Sequence, residues 1–201
     1  AVTNTGRVES FTVGAHDATH PLQAGNSRQV SISGENRVDI DGVVKSIGTG
    51  GDVSIQSGER LRINSAVEAD DQILLDGGND ASGVGVLITT LGGVTSRGAT
   101  GGLIEVKSTD AVSVMGHLEA RGTGADVLVS SEGRVSIGGL VADSQGRSVE
   151  VGGFIQAPDR IELRGGADAG GTSVMIYAAS QIATSEIDSS IRSEEHTSEL
   201  Q

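Results

Sequence analysis

Residues 126–143, DVLVSSEGRVSIGGLVAD, decide the fold once they are set beside residues 103–120, LIEVKSTDAVSVMGHLEA. The two stretches share almost no identity, yet their apolar residues fall in the same places. Ile104, Val106, Val112, Val114 and Leu118 in one are answered by Val127, Val129, Val135, Ile137 and Val141 in the other, each 23 residues on. The same step carries Val30, Ile32, Val38, Ile40 and Val44 onto Val53, Ile55, Leu61, Ile63 and Val67. Only 36% of the chain is hydrophobic, so ten matches in ten are not chance. A period of this length marks a repeat architecture.

Further units keep the skeleton with altered spacing. One reads Ile73 and Leu75, then Ile88, Thr90 and Val94; another Val149 and Val151, then Ile161, Leu163 and Ala167; the last Val174 and Ile176, then Ile182 and Thr184. Units therefore start near residues 30, 53, 73, 104, 127, 149 and 174. Each pair of apolar residues separated by one polar residue is the alternation of a short strand with one buried face. The letters between pairs (SGER, SSEGR, RGTGA, SQGR) are turn formers. No stretch carries a helical period with caps, so helix should be scarce.

A sandwich would use longer strands and aromatic inner residues, and aromatic content here is 1%. Stacking one unit per turn of a coil explains more. Equivalent residues then form aliphatic columns through the interior, with parallel strands about 4.8 Å apart. The expectation is an all-β, single-stranded parallel β-helix solenoid of about seven turns, each of roughly 20–31 residues. One unit buries too few side chains to offset the entropy of ordering it, so each turn must serve as template and lid for the next.

This coil is assigned to residues 30–191, with residues 1–29 as a partial turn or loop in which Phe11 and Val13 could open another turn. Enlarged loops at 76–87 and 152–160 fall at the same turn of the repeat and should project from one side. Residues 192–201, RSEEHTSELQ, break every earlier pattern and resemble a translated sequencing adapter. They are set aside as a non-native tail, the native chain being expected to run on past Ile191.

The net charge of −13 argues against nucleic acid and anionic membranes as partners. There is no cysteine, hence no disulfide and no thiolate metal site. No apolar run reaches the length needed to span a bilayer.

Candidate chemistry is sparse. His16 and His20 flank Asp17 in HDATH, a metal-ligand spacing only on a helix, and Pro21 follows directly. They read as loop histidines. His117, matched by Leu140 one unit on, reads as a strand-edge residue. Acid clusters that could cleave glycans are Asp70 with Asp71, Asp76 with Asp80, and Asp39 beside Arg62. Asp70–Asp71 sits in a turn, where Asp is common for backbone reasons, and Asp39–Arg62 suffices as a cross-strand ion pair. Asp76, Asn79 and Asp80 offer oxygens for calcium but lack the spacing of known calcium loops. The loop GTGGD at 48–52 joins strands and opens no helix, so it cradles no phosphate. Ser31, Ser54, Ser113 and Ser136 should form an outward serine row. No residue is assigned a catalytic, cofactor-binding or metal role.

The units GGDVSIQSGERLRINSAVEA and GADVLVSSEGRVSIGGLVAD resemble the degenerate repeats of giant bacterial secreted proteins, the filamentous-haemagglutinin-like adhesins. The resemblance spans about residues 28–191 and rests on repeat style rather than a diagnostic motif. It implies a right-handed coil at the bacterial cell surface, a stalk and contact surface for host or neighbouring-cell glycans or proteins. Uncapped coil ends would favour self-association. The alternative on the same coil is a β-helical polysaccharide lyase or glycosidase working through Asp70 and Asp71.

Overall fold

A computed structural model describes residues 2–4, 8–11, 29–166, 171–185 and 190–195. His16, His20, Asp17 and Val13 lie outside them; Phe11 ends a strand, Val8–Phe11. Among the described residues the secondary structure is all strand, with no helix. The strands stack into three parallel sheets of seven, and successive strands of the chain pass from sheet to sheet. This is a parallel β-solenoid.

Sheet 1 contains Gln29–Gly34, Asp52–Ser57, Gln72–Gly77, Leu103–Ser108, Asp126–Ser131, Arg160–Gly165 and Ser190–Glu195. Sheet 2 contains Val2–Asn4, Val38–Ile40, Leu61–Ile63, Val84–Ile88, Ala111–Val114, Val135–Ile137 and Val174–Ile176. Sheet 3 contains Val8–Phe11, Val44–Ile47, Ala66–Ala69, Gly93–Ser96, His117–Ala120, Phe154–Ala157 and Gln181–Thr184. Sheet 1 therefore runs on to Glu195, four residues into the stretch set aside as a tail.

Interior columns follow from the register. Val30, Val53, Ile73, Ile104, Val127 and Ile161 are successive partners on sheet 1. Ile40, Ile63, Ile88, Val114 and Ile137 are successive partners on sheet 2, and all are fully buried. β-branched side chains fit this stiff pleated wall. Where sheet 3 turns into sheet 1 the inward residues become small: Ser46, Ala69, Ser96, Ala120 and Ala157. Ser96 is satisfied there by donating to the Asp71 carbonyl at 2.6 Å.

Nine of the ten 23-residue matches are register partners; the exception is Leu118, which meets Ile155 rather than Val141. The chain leaves the coil after Ile137. Gly139–Ala142 and Ser148–Val151 pair antiparallel as a hairpin, and the wall resumes at Phe154. Val149 and Val151 thus start no turn. Ile161 and Leu163 occupy sheet 1 opposite Val127 and Val129, and Val174 and Ile176 occupy sheet 2 opposite Val135 and Ile137. In the third unit the sheet 2 pair is Val86 and Ile88, not Ile88 and Thr90, because the strand is irregular between Val84 and Val86.

The loops are corrected with the register. Residues 152–160 are mostly wall, and the true excursion is the hairpin, on the corner between sheets 2 and 3. The 76–87 enlargement shrinks to a turn around 78–83 between sheets 1 and 2. The two excursions therefore leave from different corners.

Candidate functional site

Outward residues carry whatever contacts this wall makes, and sheet 1 meets sheet 2 at a glycine-rich corner. A Cβ on Gly58 would lie 1.9 Å from the Glu35 carbonyl oxygen, and one on Gly78 would lie 2.0 Å from that of Gly58. Here the backbones stack too closely for any side chain. The result is an open corner with grooves of about 440 and 700 Å³, the second edged by Asp76, Lys107, Ser130 and Arg164.

The carboxylates of the expected acid clusters have different surroundings. Asp70 Oδ2 accepts from the Gly48 amide at 2.6 Å, clasping one turn to the next. Asp71 is held above the usual carboxylate range, first by burial and then by the nearby Asp52. Asp76 pairs with Lys107 at 3.5 Å on sheet 1. Asp80 instead accepts from the Ser82 amide at 2.7 Å and from its hydroxyl. Those bonds, foremost the hydroxyl, hold Asp80 below the ordinary value. Among the described residues no three His, Asp or Glu side chains converge as a metal site.

Asp39, only 7% exposed, lies between two arginines, with Arg37 Nε at 2.8 Å and Arg62 Nε at 2.9 Å. Arg62 Nε is not aligned as a donor there; its Nη2 donates to Asp41 at 2.9 Å. The expected cross-strand pair is thus part of a longer network, which Asn64 and Thr89 extend along sheet 2. The serine row is two pairs on different sheets. Ser31 partners Ser54 on sheet 1, and Ser113 partners Ser136 on sheet 2.

Sheet 3 holds the arrangement that the sequence reading missed. Its outermost column runs Ala66, Gly93, His117, Phe154, Gln181. His117 is matched by Phe154, not Leu140, because the hairpin displaces the register. Their rings stack with centroids 4.5 Å apart and planes within 13°. The next outward column on this sheet carries ions: Lys45 Nζ lies 3.1 Å from Glu68, Arg97 also pairs with Glu68, and Arg121 reaches Glu119 at 2.7 Å. Glu119 is held below the usual range, chiefly by Arg121 and further by His117, whose Nε2 is 3.2 Å away. An open groove of about 390 Å³ adjoins the ring pair, lined by Thr90, Met115, Gly153 and Gln181 among others.

Comparison with protein-family models, with curated proteins and with solved structures gives no match for this chain.

Proposed function

We propose that this chain is a non-catalytic segment of a large bacterial surface adhesin, serving as stalk and contact surface outside the cell. One observation carries the reading: the interior columns stay in register and largely aliphatic, with small residues at one corner, while most chemical variety lies on outward faces and corners. A wall of this kind gives length and stiffness cheaply, since each turn needs only its neighbours. The coil is taken as right-handed, the hand that parallel crossover connections adopt, with about seven turns whose partner spacing runs from 20 residues (Val53 to Ile73) to 34 (Val127 to Ile161). The repeat style of residues 28–191 supports the adhesin assignment by resemblance.

Partners on this reading are glycans or proteins of host or neighbouring cells, and copies of the chain associate through their open coil ends. The engaged state of Asp70, clasped to the Gly48 amide, favours a structural over a hydrolytic use of the Asp70–Asp71 pair. The test is retention of the purified chain on epithelial and bacterial cells, on a glycan array and on a surface-protein array. A parallel screen for cleavage of acidic polysaccharides, with and without calcium, covers the lyase alternative. Retention without cleavage is expected; cleavage lost in Asp71→Asn would overturn the proposal.

A further inference from the structure

The outermost column of sheet 3 contains a gap. His117 and Phe154 fill two consecutive positions with stacked rings. The preceding position is Gly93, and a Cβ placed there would meet nothing within 4 Å. One ring face of His117 is covered by Phe154; the other looks along the column toward a place with no side chain. The His117 side chain is 40% exposed. Adjacent strands lie about 4.8 Å apart, which leaves room over Gly93 for one flat ring on the imidazole.

The surroundings of this slot are polar. Thr95, Glu119 and Glu68 are outward neighbours on the same three strands. Arg121 and Arg97 are paired to the two glutamates. A ligand here would place an apolar face on the ring while its edge meets both hydrogen-bond acceptors and donors. A pyranose has that form, with a face of C–H groups and a rim of hydroxyls. The carboxylates at the rim and the overall charge of −13 disfavour uronates, sulfated sugars and nucleic acid.

We propose that the Gly93 gap, closed on one side by the His117–Phe154 pair, is a stacking subsite for one uncharged hexopyranose of a neutral glycan. The inference deepens the adhesin reading and rests on it for the presence of a glycan partner. Gly93→Leu is the direct test, because a Cβ there has nothing within 4 Å and the longer side chain would take the place of the sugar on the His117 ring. His117→Ala removes the platform, and His117→Phe restores a ring.

Wild type and the three variants, as the whole 201-residue chain, are run on an array of neutral and acidic glycans, and the best neutral binder is titrated by calorimetry. Gly93→Leu and His117→Ala should weaken binding by about tenfold or more and His117→Phe should not. Gly93→Leu should also keep its melting temperature within about 2 °C of wild type. Unchanged neutral-glycan binding by Gly93→Leu overturns the subsite and leaves the adhesin reading intact. Retention on cells with no neutral glycan bound also overturns the subsite alone. Retention on nothing removes both.

Discussion

Three glycines that look alike in the sequence should respond to alanine in three different ways. Gly78 sits at the corner between sheets 1 and 2, where an added Cβ would lie 2.0 Å from the Gly58 carbonyl oxygen and 2.4 Å from its carbon. Both are backbone atoms, so no side chain can rotate away. Relief requires the two turns to part at that corner, straining the bond from the Gly78 amide to the Glu59 carbonyl, now 2.8 Å. Overpacking costs about 1–3 kcal/mol, and losing one hydrogen bond at this half-buried position adds about 0.5–1.5, so Gly78→Ala should lose roughly 1.5–4.5 kcal/mol. Gly83 has φ of +74° and open space around it, so Gly83→Ala bears only the left-handed penalty of about 1–2 kcal/mol. Gly93 has open space and no positive φ, so Gly93→Ala should be neutral or stabilising by up to about 1 kcal/mol. Urea denaturation followed by circular dichroism ranks the three midpoints. Hydrogen exchange of the Gly78 and Gly58 amides locates the loss at the corner. If Gly78→Ala is as stable as Gly93→Ala, the backbone stacking inferred for this corner is wrong.

Other substitutions probe the wall and its charges. Ile88 is fully buried and Ile176, in the same column at the far end, is 51% exposed; Ile88→Ala should cost about 2–5 kcal/mol and Ile176→Ala distinctly less, compared by thermal melting. Asp71 is raised above its ordinary 3.8 by burial and by Asp52, so the folded chain holds that proton more tightly than the unfolded one. Its contribution to stability therefore falls as pH rises through the region just above 3.8, and Asp71→Asn should raise the urea midpoint at pH 7. Glu119 is lowered from 4.5, chiefly by Arg121. Its contribution is complete above the unfolded value and is lost as pH falls through the folded one, so Glu119→Gln should flatten the acid limb of the stability curve below about 4.5.

The interior was readable because burial repeats its demand on every turn. Val30 to Val53 and Val112 to Val135 follow from spacing alone, and both are register partners. Reading broke down where alternation of period two occurs for another reason. The hairpin residues Val149 and Val151 alternate like wall residues although they face Val141 and Gly139 of the same hairpin. Local periodicity marks a strand but does not say which sheet receives it. The third unit slipped by one pair because Val84, Val86 and Ile88 are all apolar around an irregular register.

That hairpin error also hid the ring pair. His117 and Phe154 are 37 positions apart, so a search at 23 sets Leu140 opposite the imidazole. The one available signal was the phenylalanine itself, which precedes Ile155 and Ala157 in the alternation of a resumed strand. The roles of Asp70 and Asp80 were invisible for a different reason. A carboxylate that clasps a turn and one that acts on a ligand are the same letter, and only the geometry of the accepting bond separates them.

The hairpin between Ile137 and Phe154 shows how this wall can change its surface. Leu118 finds Ile155 across the interruption as securely as Val67 finds Val94 without one. Outgrowths at a corner are therefore decoupled from the scaffold that bears them, and can lengthen, shrink or be exchanged without renegotiating the interior. A chain built this way can alter what it presents to its surroundings at the pace of loop variation while its framework stays fixed.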